Sequence, residues 1–208
     1  MRRSTRTRSK PLGVVDPNTP GWSRPALRSV AGFSVDGARR LHDGFVIDVE
    51  QADLRDPEGG IHQRDVVRHP GAVSVLPLHD DGTVTLVRQY RVALEGDLLE
   101  VPAGKADRPD EPAADLVRRE LAEEVGLAAQ RVELLAGCFL SPGYSDEWHE
   151  VFLATGLTAV PSEADGAEER HLEVVRLDLC TALAGIADGT VVDAKTIIAL
   201  LAAARRER

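Results

Sequence analysis

The chain has 208 residues, a formal charge of −9, 43% hydrophobic residues and 4% aromatics, a composition that gives one domain of ordinary size with an added arm. It contains no apolar run of the roughly 18 residues a transmembrane helix needs, and the acidic body argues against nucleic acid as a partner of the folded part. The only cysteines, Cys138 and Cys180, are too few for a disulfide framework or a zinc site, and read as small core residues in a reducing cytoplasm.

Arg2, Arg3, Arg6, Arg8 and Lys10 make the start strongly basic. No apolar segment follows them, so a secretory or twin-arginine signal is not expected, and a disordered arm is. From Pro11 to Arg40 the chain is rich in Pro, Gly and Arg and lacks a sustained period, which predicts extended or loosely ordered structure. Phe45 to Glu50 reads as a strand between Asp43-Gly44 and the turn Asp56-Pro57-Glu58-Gly59-Gly60, with Ile61 to Arg68 returning as its hairpin partner. Ala72 to Leu78 and Val84 to Val87 flank His79-Asp80-Asp81-Gly82 and read as a second hairpin. Leu98 to Pro102 is a short strand that feeds a loop at Gly104.

The next stretch ends Arg119-Glu120-Leu121-Ala122-Glu123-Glu124-Val125-Gly126-Leu127. On a helix, Glu120, Glu123 and Glu124 stand at i, i+3 and i+4 and share one face, while Ala113, Val117, Leu121 and Val125 form an apolar stripe behind them. Gly126 sits where such a helix ends. Like charges at this spacing repel. A solvated Glu-rich helix end is the bland alternative, but the Gly-containing loop before the helix and Arg119 beside the acids favour a Mg²⁺ or Mn²⁺ site built from hard oxygen ligands. Strands around Val132–Phe139, Glu150–Ala154 and Glu173–Leu177 follow, then helices over Leu179–Asp188 and Asp193–Arg205. Many strands with one central helix and terminal helices make an α+β domain.

Gly104, Glu111, Arg119-Glu120, Glu123-Glu124 and Gly126 resemble the Nudix box. Seven residues separate Glu111 from Arg119 as in that pattern; between Gly104 and Glu111 there are six rather than the usual five, an insertion in a Pro/Asp turn where lengthening costs little. The resemblance implies a Nudix-type α/β/α sandwich around a mixed sheet, with an N-terminal antiparallel sheet, and metal-dependent attack of water on a diphosphate. Carried onto this chain, it implies the carbonyl of Ala103 with Glu120 and Glu124 as metal ligands and Glu123 as a close helper in binding and catalysis. Gly104, Glu111, Arg119 and Gly126 shape the box, with Glu111 pairing to Arg119.

Leu140-Ser141-Pro142-Gly143 is similar to a loop that distinguishes ADP-ribose pyrophosphatases, and marks Pro142 and Gly143 as substrate-binding; an ordinary turn is the alternative. Val87-Arg88-Gln89-Tyr90-Arg91 ends a strand with a guanidinium suited to a phosphate, Arg91 first and Arg88 second, against the reading of a merely exposed arginine. In the resembling enzymes a glutamate on a late loop activates the water. Spacing favours Glu169, with Glu168 next, and a solvated acidic loop competes.

The six histidines show no helical metal pair, and Trp22 and Trp148 read as core or interface. The segment from Ala38 to Leu78 resembles the N-terminal part of dimeric ADP-ribose hydrolases, which implies a homodimer. The expected division is a basic, flexible arm at 1–37, a dimerising β-sheet region at 38–70 and the hydrolase domain at 71–208. The expected activity is cytoplasmic hydrolysis of ADP-ribose to AMP and ribose 5-phosphate with Mg²⁺ or Mn²⁺. Another nucleoside diphosphate sugar such as GDP-mannose is the nearest rival, and a non-catalytic ADP-ribose sensor the more distant one.

Overall fold

The structure is a computed structural model that describes residues 22–162 and 171–206, with residues 28, 30 and 109 excepted. Its strands are β1 (Ser34–Asp43), β2 (Asp48–Arg55), β3 (Ile61–Arg68), β4 (Ala72–Pro77), β5 (Thr83–Arg91), β6 (Gly96–Glu100), β7 (Ala103–Lys105), β8 (Leu127–Phe139), β9 (Trp148–Ala159) and β10 (Glu173–Asp178). The helices are α1 (Ala113–Val125), α2 (Leu179–Asp188) and α3 (Ala194–Ala204).

The strands form three sheets: β1-β2-β3, β10-β5-β6 and the mixed sheet β7-β4-β9-β8. Among the described strands, β4 and β9 are the pair that runs parallel. Every residue of β4 is buried, as befits a central strand covered on both faces. Along β9 the side chains alternate. Trp148 and Phe152 join Val73, Val75, Leu116, Val117 and Leu121 beneath α1. Val151 and Leu153 turn the other way, toward Leu86, Leu179 and Leu200 on the second sheet, α2 and α3. The architecture is α+β, a mixed sheet with α1 on one face and the second sheet and terminal helices on the other.

The apolar stripe read from the sequence packs α1 as expected, with Ala113, Val117 and Leu121 fully buried. Gly126 ends the helix at φ 62°, ψ 39°, and its N–H reaches back to Ala122 and Leu121, a left-handed cap that glycine adopts without steric cost. Its carbonyl then accepts from Val160 N at 2.9 Å, so the chain passes directly into β8.

Several local expectations change in three dimensions. Residues 34–40, read as loosely ordered, belong to β1; nine of its ten residues are exposed, so burial leaves no alternation in the sequence. The His79–Gly82 turn forms, with Gly82 N donating to His79 O at 3.0 Å, yet its flanks separate after a single Leu78–Val84 bridge into different sheets. A turn motif fixes a chain reversal, whereas the more distant strands decide the pairing. Cys180 is exposed rather than in the core, and Cys138 is half-buried. Trp22 is buried against the α1 core, and the next residue, Ser23, donates its N–H to the buried Glu150. Among the described residues, no helix is long and apolar enough to cross a membrane.

One tie positions the loop that matters below. Asp193 caps α3 by accepting from Thr196 N at 2.9 Å and Thr196 Oγ1 at 2.6 Å. Thr196 Oγ1 in turn accepts from Val101 N at 2.9 Å, two residues before Ala103. Thr196→Val keeps the shape and leaves a buried Val101 N–H unpaired, so it should lower unfolding free energy by about 2 kcal/mol in urea denaturation. An unchanged midpoint would show that this tie contributes nothing.

Candidate active site

A cavity of about 690 Å³ opens where the outward end of α1 meets β7, the end of β5, the start of β9 and the start of α3. Its box wall is built on a close approach. A Cβ on Gly104 would fall on the Glu120 carboxyl, so a side chain there would displace Glu120. Arg119 then gathers the surrounding acids. Its Nε and Nη2 each reach Glu111 at 3.2 Å, and Nη1 lies 2.9 Å from Glu120 Oε1 and 3.0 Å from Glu123 Oε2. Nη2 also touches Asp107 at 3.3 Å. Burial works against the guanidinium charge, but hydrogen bonding to Glu111 and the fields of Glu120 and Glu111 outweigh it and raise the Arg119 pKa. Glu124 Oε2 accepts from Ala103 N at 3.1 Å.

Ala103, Gly104, Arg119, Glu120, Glu123 and Glu124 therefore line one wall. Among the described residues, no three His, Cys, Asp or Glu side chains close on a common point as a metal cage; Glu120 and Glu123 lean on Arg119, and Glu124 leans on the Ala103 amide. The donor set is nonetheless all hard oxygen, on one helix face, beside a backbone that approaches without a Cβ. These features fit Mg²⁺ or Mn²⁺ and not a soft metal.

Arg91 lines the same cavity but is not a bare cation. Glu100, 1% exposed, takes Arg91 Nε and Nη2 at 2.7 Å each and is also ion-paired with Lys195, which reaches Asp193 at 2.7 Å. Burial alone would raise the Glu100 carboxyl, yet Arg91 and Lys195 together hold it below the ordinary value of 4.5. Arg88 lies elsewhere: it pairs with Glu173 at 3.1 Å on exposed surface. Pro142 and Gly143 are exposed, in a loop fastened to β3 by Val67 N to Tyr144 O at 2.7 Å and Asp146 N to Val67 O at 3.1 Å. From that segment, Leu140 and Glu147 face the cavity. Glu168 and Glu169 lie outside the described residues.

The structure adds cavity residues that the motif did not mark: His69, Gln89, Glu147, His149 and Lys195. Lys195 falls in the helix expected over Asp193–Arg205, but nothing local shows that it meets a glutamate 95 positions away. Phe45, 96% exposed, stands at the cavity with Lys105 Nζ 5.1 Å from its ring centre.

The NUDIX domain family model matches residues 68–196, and the chain belongs to the Nudix hydrolase family. Within that family it is similar to proteins of several names, among them a methanol dehydrogenase activator of Bacillus methanolicus, 34% identical over 161 residues, covering 77% of this chain and 86% of that relative. The chain is 37% identical over 161 residues to the ADP-ribose pyrophosphatase of Bacillus subtilis (strain 168), covering 77% of this chain and 86% of that relative. It is 37% identical over 147 residues to a GDP-mannose pyrophosphatase of Citrobacter koseri, covering 67% and 76%. A crystal structure of an ADP compounds hydrolase shares the fold, with TM-score 0.74 at 24% identity over 86% of this chain and 96% of that one.

The Glu100 network carries a pH dependence. Its folded pKa is depressed, so its stabilisation is present above the unfolded value near 4.5 and is lost as pH falls through the lower folded value. Glu100→Gln should lose about 3 kcal/mol at pH 7, because Arg91 and Lys195 lose their shared carboxylate. The gap to the parent should narrow in denaturant titrations below pH 4.5; a gap constant with pH would contradict this pairing.

Proposed function

We propose that the protein hydrolyses the diphosphate bond of ADP-ribose, giving AMP and ribose 5-phosphate, with Mg²⁺ or Mn²⁺. The observation that carries this reading is the box wall itself. Glu120, Glu123 and Glu124 stand on one helix face beside Gly104, the first two gathered by Arg119 and the third held by the Ala103 amide, in a cavity of about 690 Å³. The 37% likeness to an ADP-ribose pyrophosphatase supports the choice of substrate.

Glu120, Glu123, Glu124 and the Ala103 carbonyl would hold the cation, whose contribution when bound is to neutralise diphosphate oxygens and make water more acidic. Arg119 holds Glu120 and Glu123 in place through its ion pairs, and Arg91 and Lys195, both paired with Glu100, line the same cavity. The water oxygen bonds to one phosphorus, the bridging P–O bond breaks, and the water proton passes to a base, a role we assign to Glu169 with Glu168 as its neighbour. We read the protein as a homodimer. Phe33, Val35, Leu41 and Ile61 are exposed apolar residues on or beside the N-terminal sheet, and a second copy is the partner that would cover them.

GDP-mannose is the second reading, favoured by the GDP-mannose pyrophosphatase relative of equal identity. The test is a substrate panel of ADP-ribose, GDP-mannose, a dinucleoside polyphosphate and a nucleoside triphosphate, with Mg²⁺ and with chelator, products separated by ion exchange. AMP should appear from ADP-ribose only with metal, and Glu124→Gln should lose at least about 100-fold in rate while keeping its fold. GMP from GDP-mannose in place of AMP would move the assignment to the second substrate; cleavage that persists in chelator would overturn the metal chemistry.

A further inference from the structure

One buried group at the cavity takes no part in the chemistry just described. His149 is 2% exposed, and neither of its ring nitrogens has a hydrogen-bond partner among the described residues. It is not a solvated surface residue. Its strand neighbours Trp148 and Glu150 are held on the α1 side, where Trp148 Nε1 donates to Glu150 Oε1 at 3.1 Å. His149 emerges on the opposite face and lines the cavity. Glu147 Oε1 lies 3.5 Å from its Nδ1, longer than an N–H···O hydrogen bond.

A second imidazole shares this wall. His69 lines the cavity, and its Nδ1 accepts from Gly71 N at 3.1 Å. That bond requires an unprotonated Nδ1 and places the proton of the neutral ring on Nε2, which becomes a donor. Burial lowers the His69 pKa, which keeps the ring neutral. Leaving a buried imidazole without partners is costly for folding; where the group faces a cavity, a ligand can supply what the protein does not.

We propose that His149, with His69 and Glu147 beside it, forms a hydroxyl-recognition subsite for the sugar ring on the far side of the diphosphate, and that His149 is its specificity-determining residue. The inference rests on the reading of the protein as a nucleoside diphosphate sugar hydrolase. The chemistry matches. Adjacent sugar hydroxyls each donate and accept one hydrogen bond. A neutral imidazole offers one donor and one acceptor, His69 a donor, and the Glu147 carboxylate acceptors. A flat, weakly polar base would leave these groups unpaired and is better served at the exposed Phe45 ring. A nucleoside diphosphate without the sugar makes none of these contacts, so discrimination should depend on His149.

The test is calorimetric binding of ADP-ribose and of ADP to the full chain in EDTA, alongside thermal melting. The parent should bind ADP-ribose about tenfold tighter than ADP, a factor of one well-made hydrogen bond. His149→Leu should remove that preference by weakening ADP-ribose alone. It should also melt no lower than the parent, since it replaces an unpaired polar ring with an apolar side chain. His149→Gln, which retains a donor and an acceptor, should keep part of the preference and serves as the comparison if the leucine variant folds poorly. Equal weakening of both ligands, or no change in either, would overturn the subsite. So would a parent that fails to prefer ADP-ribose. If ADP-ribose binds with this His149-dependent preference but is not cleaved once Mg²⁺ is added, the proposed reaction fails and the subsite stands. Cleavage of ADP-ribose by a parent whose binding does not depend on His149 would keep the reaction and remove the subsite.

Discussion

A single guanidinium holds the box together. Arg119 is within hydrogen-bonding or ion-pair distance of Glu111, Glu120, Glu123 and Asp107 at 2.9 to 3.3 Å. Three glutamates on one turn and a half of helix repel one another, and on bare surface that arrangement would be mildly destabilising. Here the arginine side chain is 15% exposed and Glu111 13%, so their pairing is screened less than a surface salt bridge and makes a firmer clamp. The clamp needs α1 in a fixed rotation, which the buried stripe of Ala113, Val117 and Leu121 supplies. It also needs a backbone that comes close to Glu120, which Gly104 allows. Core packing, loop glycine and carboxylate face are thus one construction, and loss of the guanidinium would release the acids at both ends of the box.

A second, buried charge network borders the same cavity. Glu100 is nearly inaccessible and compensates two cations, Arg91 and Lys195, brought from β5 and from the first turn of α3. Removing either cation would leave a buried charge partly unpaired, which is far more costly than losing a surface pair. The same helix start, through Asp193 and Thr196, fixes the Val101 amide just before Ala103. The C-terminal helix therefore reaches the site twice, once by charge and once by hydrogen bond.

The sequence was most informative where the interactions are local. The end of α1 at Gly126, its apolar stripe and its acidic face depend on residues close in the chain, and each is found where the spacing put it. Glu111 and Arg119 are only eight positions apart, and their pairing also follows from the box pattern. Strand partners were less legible, because pairing is decided by segments far away in the chain. That is why the His79–Gly82 turn was right and its hairpin was not. Arg91 looked like a free phosphate ligand because its partner Glu100 lies across the β5–β6 hairpin. His149 sits among hydrophobic strand residues, and only the direction each β9 side chain takes shows that it faces a cavity while Trp148 faces the core.

Through its ion pairs with Glu120 and Glu123, Arg119 would organise the box carboxylates into a site for a divalent cation. Titrating Mn²⁺ into the full chain, followed by electron paramagnetic resonance, tests this without relying on turnover. A lysine at this position keeps the charge but not the fork that reaches Glu111 and the helix acids together. The parent should bind Mn²⁺, and Arg119→Lys should stay folded but bind it about tenfold or more weakly, the usual cost of losing a group that orients metal ligands. Equal Mn²⁺ affinity in the two proteins, or no binding by the parent, would contradict it.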